Sequence, residues 1–222
     1  MSLASRWDKI KFRIEQTCTE VGRKPEEICI VAASKGVPAE NIVEAYELGV
    51  RHFGENYLQE FERKKPQCPS GATWHFIGRI QSNKAKRIGA AFDWVQTIDN
   101  LEQVKRLAKT GINILVEVNI AREPQKAGIF PENLAKFVEN LYNLTGVSFR
   151  GLMTMGPANR NPAEMRPYFQ AMRKLQQGLG IREADVLSMG MSSDFEVAIQ
   201  EGASHIRIGS ALFGPRKSKD GD

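Results

Sequence analysis

Ile28-Cys29-Ile30-Val31-Ala32-Ala33-Ser34-Lys35-Gly36-Val37-Pro38 is the first β-rich stretch of the chain, and its end decides between two folds. Apolar, β-branched residues bounded by turn formers read as a buried strand. An open, doubly wound sheet would follow that strand with a glycine-rich phosphate turn. Here the strand runs into Ser34-Lys35-Gly36, and no GxGxxG occurs anywhere. Upstream, Leu3, Trp7, Ile10, Ile14, Cys18 and Val21 recur at helical spacing until Gly22. Downstream, Pro38 opens a helix over 41–48 that Gly49 stops. The alternation then repeats. Further strands are predicted at 52–56, 73–78, 94–98, 112–119, 147–155, 186–190 and 205–209, with helices at 57–65, 83–89, 101–109, 131–142, 162–179 and 193–201. Eight strands joined by helices imply right-handed parallel crossovers. The expected fold is α/β, a single (β/α)8 TIM barrel with an extra N-terminal helix. No linker divides the chain, so one domain is expected over 1–216, with a disordered tail at 217–222.

Composition narrows the function classes. With 222 residues, 41% of them hydrophobic and 26% charged, the chain matches an average soluble protein and neither a disordered nor a fibrous one. Its longest apolar runs are far short of a membrane span, and the N-terminus lacks a signal-peptide core. Three cysteines (Cys18, Cys29, Cys68) without CxxC spacing argue against a disulfide framework or zinc site, so the cytoplasm is the expected setting. The net charge is +5, yet the one dense internal cluster, Lys84, Lys86 and Arg87, lacks interleaved aromatics. It reads as a solvated helix face, and neither nucleic-acid nor membrane binding is expected. His52, His75 and His205 have no paired metal spacing and read as core histidines, so no metal site is expected.

In such a barrel, chemistry belongs at the carboxyl ends of the strands. Lys35 follows an apolar strand whose alternation places Cys29, Val31 and Ala33 beneath it. Partial desolvation there would suit a Schiff-base nucleophile, although a strand-end lysine also simply reaches water. At the seventh strand, Ser193-x-x-Glu196 reads as a capping box, which leaves Ser192 and Gly190 facing an anion-binding loop; plain capping is the alternative. At the eighth, alternation turns Arg207 inward, where it must find a partner; Gly209 and Ser210 would complete a phosphate cradle. A salt bridge from Arg207 to Glu55 is the competing reading. Asn56 is a short polar group at a strand end. Four of seven methionines lie at 153, 155, 189 and 191, as soft walls for a flat ring or as core filler.

Taken together these stretches closely resemble the pyridoxal-phosphate homeostasis proteins, the YggS/PROSC family with its cyanobacterial PipY type. The matching motifs are Ala33-Ser34-Lys35, His52-Phe53-Gly54-Glu55-Asn56, Trp74-His75-Phe76-Ile77-Gly78 with Gln81-Ser82-Asn83-Lys84, Gly151-Leu152-Met153, Ser188-Met189-Gly190-Met191-Ser192, and Arg207-Ile208-Gly209 with Phe213-Gly214. They follow the family's order from residue 33 to residue 214, and only Arg79-Ile80 departs from many members. The resemblance implies a barrel like the N-terminal domain of fold-type III enzymes such as alanine racemase. It implies pyridoxal 5′-phosphate (PLP) as an aldimine on Lys35, and phosphate held by Ser192, Gly209 and Ser210. Arg207 would face the pyridine nitrogen, with Asn56 and Met153 as further cofactor contacts.

Arginine cannot surrender a proton near neutrality, so it leaves that nitrogen unprotonated and the ring a weak electron sink. The resemblance implies that a racemase's tyrosine base comes from an added β domain, which is not expected here; Tyr46, Tyr57, Tyr142 and Tyr168 all fall in predicted helices or at their edges. A monomeric PLP carrier is therefore expected, without catalytic residues, exchanging its cofactor with free amino acids or apoenzymes by transimination. The alternatives are a fold-type III racemase or decarboxylase and, without the resemblance, a class I aldolase or phosphosugar isomerase.

Overall fold

The computed structural model describes residues 1–107, 111–144, 146–157 and 161–215; the expected tail at 217–222 lies outside them. Helix α1 (Leu3–Glu20) precedes the barrel, capped by the Ser2 side chain, with Gly22 at φ 67° just beyond its end. Then strands and helices alternate: β1 (Cys29–Ala33), α2 (Ala39–Glu47), β2 (His52–Glu55), α3 (Leu58–Lys64), β3 (Thr73–Phe76), α4 (Ala85–Ala91), β4 (Trp94–Ile98), α5 (Leu101–Leu107) and β5 (Ile112–Glu117). The second half adds α6 (Leu134–Tyr142), β6 (Val147–Met153), α7 (Pro162–Leu179), β7 (Val186–Met191), α8 (Phe195–Gln200), β8 (His205–Ile208) and a short α9 (Ser210–Phe213) that the sequence reading missed. All strands pair in parallel and in chain order, and β8 returns to β1 to close the barrel.

Strand alternation sorts the side chains into two layers. Ile30, Ala32, Phe53, Trp74, Val95, Ile114, Val116, Leu187, Ile206 and Ile208 face the outer helices in one continuous apolar core. Trp94, Leu115, Met153 and Val186 form a separate small cluster inside the barrel. Polar side chains surround it: His75 stacks on Trp94, and Ser188 is the register partner of Met153.

Three local expectations are corrected. Ser193 and Glu196 form no capping box: α8 starts at Phe195, and Glu196 instead holds Arg13 of α1 through two bonds of 2.6 and 2.7 Å. Glu55 does not pair with Arg207; Lys64 takes it at 2.6 Å. Of the four methionines at the strand ends, Met189 lies in the outer core and Met153 inside the barrel, while Met155 and Met191 are exposed and line a cavity at the strand ends.

Candidate functional site

All seven residues singled out in the sequence stand at the carboxyl ends of the strands: Lys35 beyond β1, Asn56 beyond β2, Met153 closing β6, Ser192 beyond β7, Arg207 on β8, and Gly209 and Ser210 just after it. Barrel closure brings the first and last of these together. Val31 is the register partner of Arg207, and a Cβ added to Gly209 would meet Ala33 at 3.5 Å.

Lys35 is half-buried, and its Nζ lies 4.9 Å from the centroid of the Tyr57 ring. Among the described residues it makes no hydrogen bond or ion pair. The turn that carries it is fixed from below. Lys64, in the last turn of α3, is buried and donates to the Ser34 and Val37 carbonyls at 2.8 and 3.3 Å. It also pairs with Glu55 at 2.6 Å and Glu60 at 2.9 Å. Ser34 Oγ donates to Glu55 at 2.5 Å, and the Gly36 N–H donates to Glu60 at 2.6 Å. Burial pushes the Glu55 carboxyl up, against the pull of Lys64. Gly78 lets the ends of β2 and β3 approach, since a Cβ there would fall 2.0 Å from the Asn56 carbonyl oxygen.

Arg207 is 6% exposed. It donates to Ser188 Oγ at 2.7 Å and to the Thr154 carbonyl at 2.8 Å. Ser188 Oγ in turn donates to Gln96 Oε1 at 2.8 Å, which turns the Gln96 amide N–H toward His75 Nδ1 at 2.9 Å. His75 must therefore accept at Nδ1 and donate from Nε2 to His52 Nδ1, 3.0 Å away. One permanently charged group thus orders a hydrogen-bond ladder through the barrel. Burial agrees with it: His75 is held well below its ordinary pKa, His52 is lowered, and His205 falls to about 4, so all three are neutral near pH 7. Burial also lowers Arg207, opposed by Glu117 and Asp194, but only to about 10, and it stays charged.

The backbone N–H groups of Gly209 and Ala211 both donate to Ser192 Oγ at 3.2 Å, while Ser210 is exposed. Two cavities open among the same strand ends. One of about 330 Å³ is lined by Asn56, Tyr57, Gly78 and Lys84; the other, about 490 Å³, by Glu117, Met155, Met191 and Asp194, with Arg79 at both. Sequence reasoning missed Glu117, Gln96, Thr154 and Ser188. The signal for Glu117 was available: in Ile112–Asn119 it shares the inward parity of Leu115 and ends the strand with a charge.

The family model for the alanine racemase N-terminal domain matches residues 6–217. A pyridoxal phosphate homeostasis protein of Aquifex aeolicus is 42% identical over 98% of this chain and all of its own length. Its Escherichia coli namesake is 38% identical, covering 96% and 97% of the two chains. Among solved structures, PipY of Synechococcus elongatus with PLP bound superposes with a TM-score of 0.82 at 32% identity, over 96% of this chain and 100% of PipY. Alanine racemase of Clostridium difficile shares the fold, with a TM-score of 0.69 at 15% identity over 96% of this chain and 57% of its own.

Proposed function

Because the chain belongs to the alanine racemase N-terminal-domain family and, within it, to the pyridoxal phosphate homeostasis proteins, we propose that it binds PLP and serves vitamin B6 homeostasis, holding the cofactor as an aldimine on Lys35 and passing it on by transimination with little catalysis. One observation carries this reading: the Lys35 amine, unbonded among the described residues, stands one strand from a buried, permanently charged Arg207.

The donor set fits the group. When bound, PLP supplies an aldehyde carbon that condenses with primary amines. Lys35 offers that amine on a turn held by Lys64, Glu55 and Glu60. Beside Gly209, the Ser192 hydroxyl, whose oxygen already accepts the Gly209 and Ala211 N–H groups, and the exposed Ser210 offer neutral donors for a phosphate. Arg207, its two terminal nitrogens committed to Ser188 and Thr154, is a fixed cation that can only donate. A ring nitrogen facing it stays unprotonated, so carbanion chemistry is poorly supported, which favours a carrier over a racemase or decarboxylase. Met153 and Asn56 supply the walls. The partners are PLP and the amines that receive it, free amino acids or lysines of apoenzymes, and the working form is a cytoplasmic monomer.

Borohydride reduction of the PLP-treated protein, followed by peptide mapping, should place a pyridoxyl group on Lys35, and Lys35→Ala should abolish the visible absorption band. Modification of a different lysine alone would overturn the assignment. Rapid, Lys35-dependent exchange of the α-hydrogen of alanine in deuterated water would favour the racemase reading instead.

A further inference from the structure

Gln81-Ser82-Asn83-Lys84 has no part in the function proposed above, yet it borders the cavity of about 330 Å³ at the ends of β2 and β3. Asn56, Tyr57, Arg79, Gln81 and Lys84 line that space, and among the described residues no carboxylate does. The turn carrying the two cations is firmly built. Ile80 anchors it at 6% exposure, Thr97 Oγ1 donates to the Gly78 carbonyl at 2.6 Å, and the Lys84 N–H donates to the Gln81 carbonyl at 2.8 Å. Arg79 and Gln81, on either side of Ile80, are left exposed, and Lys84 is half-buried. Among the described residues the side chains of Asn56, Arg79, Gln81 and Lys84 make no hydrogen bond or ion pair. Other cations at the strand ends are taken: Lys64 by Glu55 and Glu60, Lys126 by Glu123, Arg207 by Ser188 and Thr154. Two free cations and two free amides around one cavity, with no counter-ion, make a seat for an anion. We infer that this cavity seats the α-carboxylate of the amino acid whose amine exchanges with Lys35, with Arg79 and Lys84 as its counter-ions.

The inference rests on the PLP reading above and names the class of amine that the exchange prefers. Lys35 Nζ lies 4.9 Å from the centroid of the Tyr57 ring, and Tyr57 is a wall of the cavity, so the amine leans toward this space. Asn56, offered as a cofactor contact, is a second wall. The carboxylate of an α-amino acid sits on the carbon that bears its amine, so a newcomer that replaces Lys35 brings its negative charge close to where the Lys35 amine stood. The cofactor's phosphate is offered Ser192 and Ser210 at the ends of β7 and β8, which leaves the carboxylate as the anion still without a partner. A guanidinium fork matches both carboxylate oxygens, and an ammonium adds a point charge. The cavity of about 490 Å³ is the poorer choice, although Arg79 lines it too. It carries the Glu117 and Asp194 carboxyls, and burial pushes both up, so that space already disfavours negative charge. Its other cation, Lys126, is held by Glu123 and the Gly156 carbonyl. Free amino acids are therefore favoured over simple amines and over lysine side chains within proteins, which carry no such carboxylate.

The test loads the full-length parent and Arg79→Gln with PLP and adds either glycine or methylamine, which has the amine but no carboxylate. Borohydride quenching at intervals counts the pyridoxyl group left on Lys35. The glycine-to-methylamine rate ratio should fall roughly tenfold in the variant, the size of one charge-assisted bond at a partly open site. Lys84→Gln should lower it in the same direction. A general loss of folding or of PLP affinity moves both rates and cancels in the ratio. A second readout uses no cofactor: acetate is titrated into the ligand-free protein. The side-chain amide NMR signals of Asn56 and Gln81 should shift and saturate in the parent, and should not in a variant carrying both Arg79→Gln and Lys84→Gln. An unchanged rate ratio would overturn the inference, as would amide signals that ignore acetate or answer only to inorganic phosphate. A parent that takes up no PLP sinks the proposed function instead, and the acetate titration then decides the carboxylate seat by itself.

Discussion

Lys64→Met is the sharpest test of how the Lys35 turn is held. The substitution keeps the aliphatic stem packed against the barrel but removes an ammonium that is 7% exposed. It deletes the pairs to Glu55 and Glu60 and the bonds to the Ser34 and Val37 carbonyls. Glu55, fully buried, then keeps only the Ser34 hydroxyl as a donor, with its second oxygen already unbonded. Breaking a buried pair by deleting one partner costs about 3–5 kcal/mol, a large share of the ~5–15 kcal/mol that typical domains have. Replacing both partners should cost less, because no charge is stranded. The assay is a double-mutant cycle with Glu55→Gln, followed by urea unfolding at neutral pH and, on the folded fraction, PLP uptake. Lys64→Met alone should lose roughly 3 kcal/mol or more, and the double variant should recover at least ~1 kcal/mol of it. Both should load PLP more slowly than the parent, since the turn beneath Lys35 has lost its carbonyl anchors. A single-variant cost below about 1 kcal/mol with no coupling would place this cluster among ordinary surface pairs and refute the reasoning.

Two other outcomes follow. Glu117 has a folded pKa of about 7 against an ordinary 4.5, so its stabilising contribution is complete below about 4.5 and is lost as pH rises through 7. At ~1.4 kcal/mol per pH unit this amounts to at most roughly 3.5 kcal/mol, and Glu117→Gln should therefore gain stability over the parent between about pH 4.5 and pH 7 in denaturant titrations, levelling off above; a flat difference would contradict it. Gly78→Ala would drive a Cβ to 2.0 Å from the Asn56 carbonyl oxygen, a backbone atom that cannot swing away. Thermal unfolding should report a loss of order 1–3 kcal/mol, accompanied by weaker PLP binding as Asn56 is displaced; unchanged stability would mean the strand ends part freely.

Features that depend on near neighbours in sequence were legible. The alternation in Ile112–Asn119 marked β5, glycines at 22, 49 and 111 take the positive φ that ends a helix or turns the chain, and Pro162 to Leu179 was read to the residue. Features set by distant partners were not. Glu196 looked like a capping residue because its true partner, Arg13, lies 183 positions away. Glu55 was offered to Arg207 because nothing in the spacing marks its true partner, Lys64 at the end of the next helix. The strand-end lysine and the inward arginine were legible as features because each breaks an apolar alternation. The ladder of Ser188, Gln96, His75 and His52 was not, since it draws one residue from each of four strands and only their register joins them.

The closing seam between β1 and β8 also sets when the molecule becomes competent. The strand that leads to Lys35 is made early in translation and the strand that carries Arg207 almost last, yet the two pair across that one seam. A ribosome-bound chain lacking its final strand carries the reactive amine without the groups that would grip an anion beside it. On the function proposed above, the vitamin would find its seat only once synthesis is nearly finished, and a prematurely terminated product would be unable to sequester it.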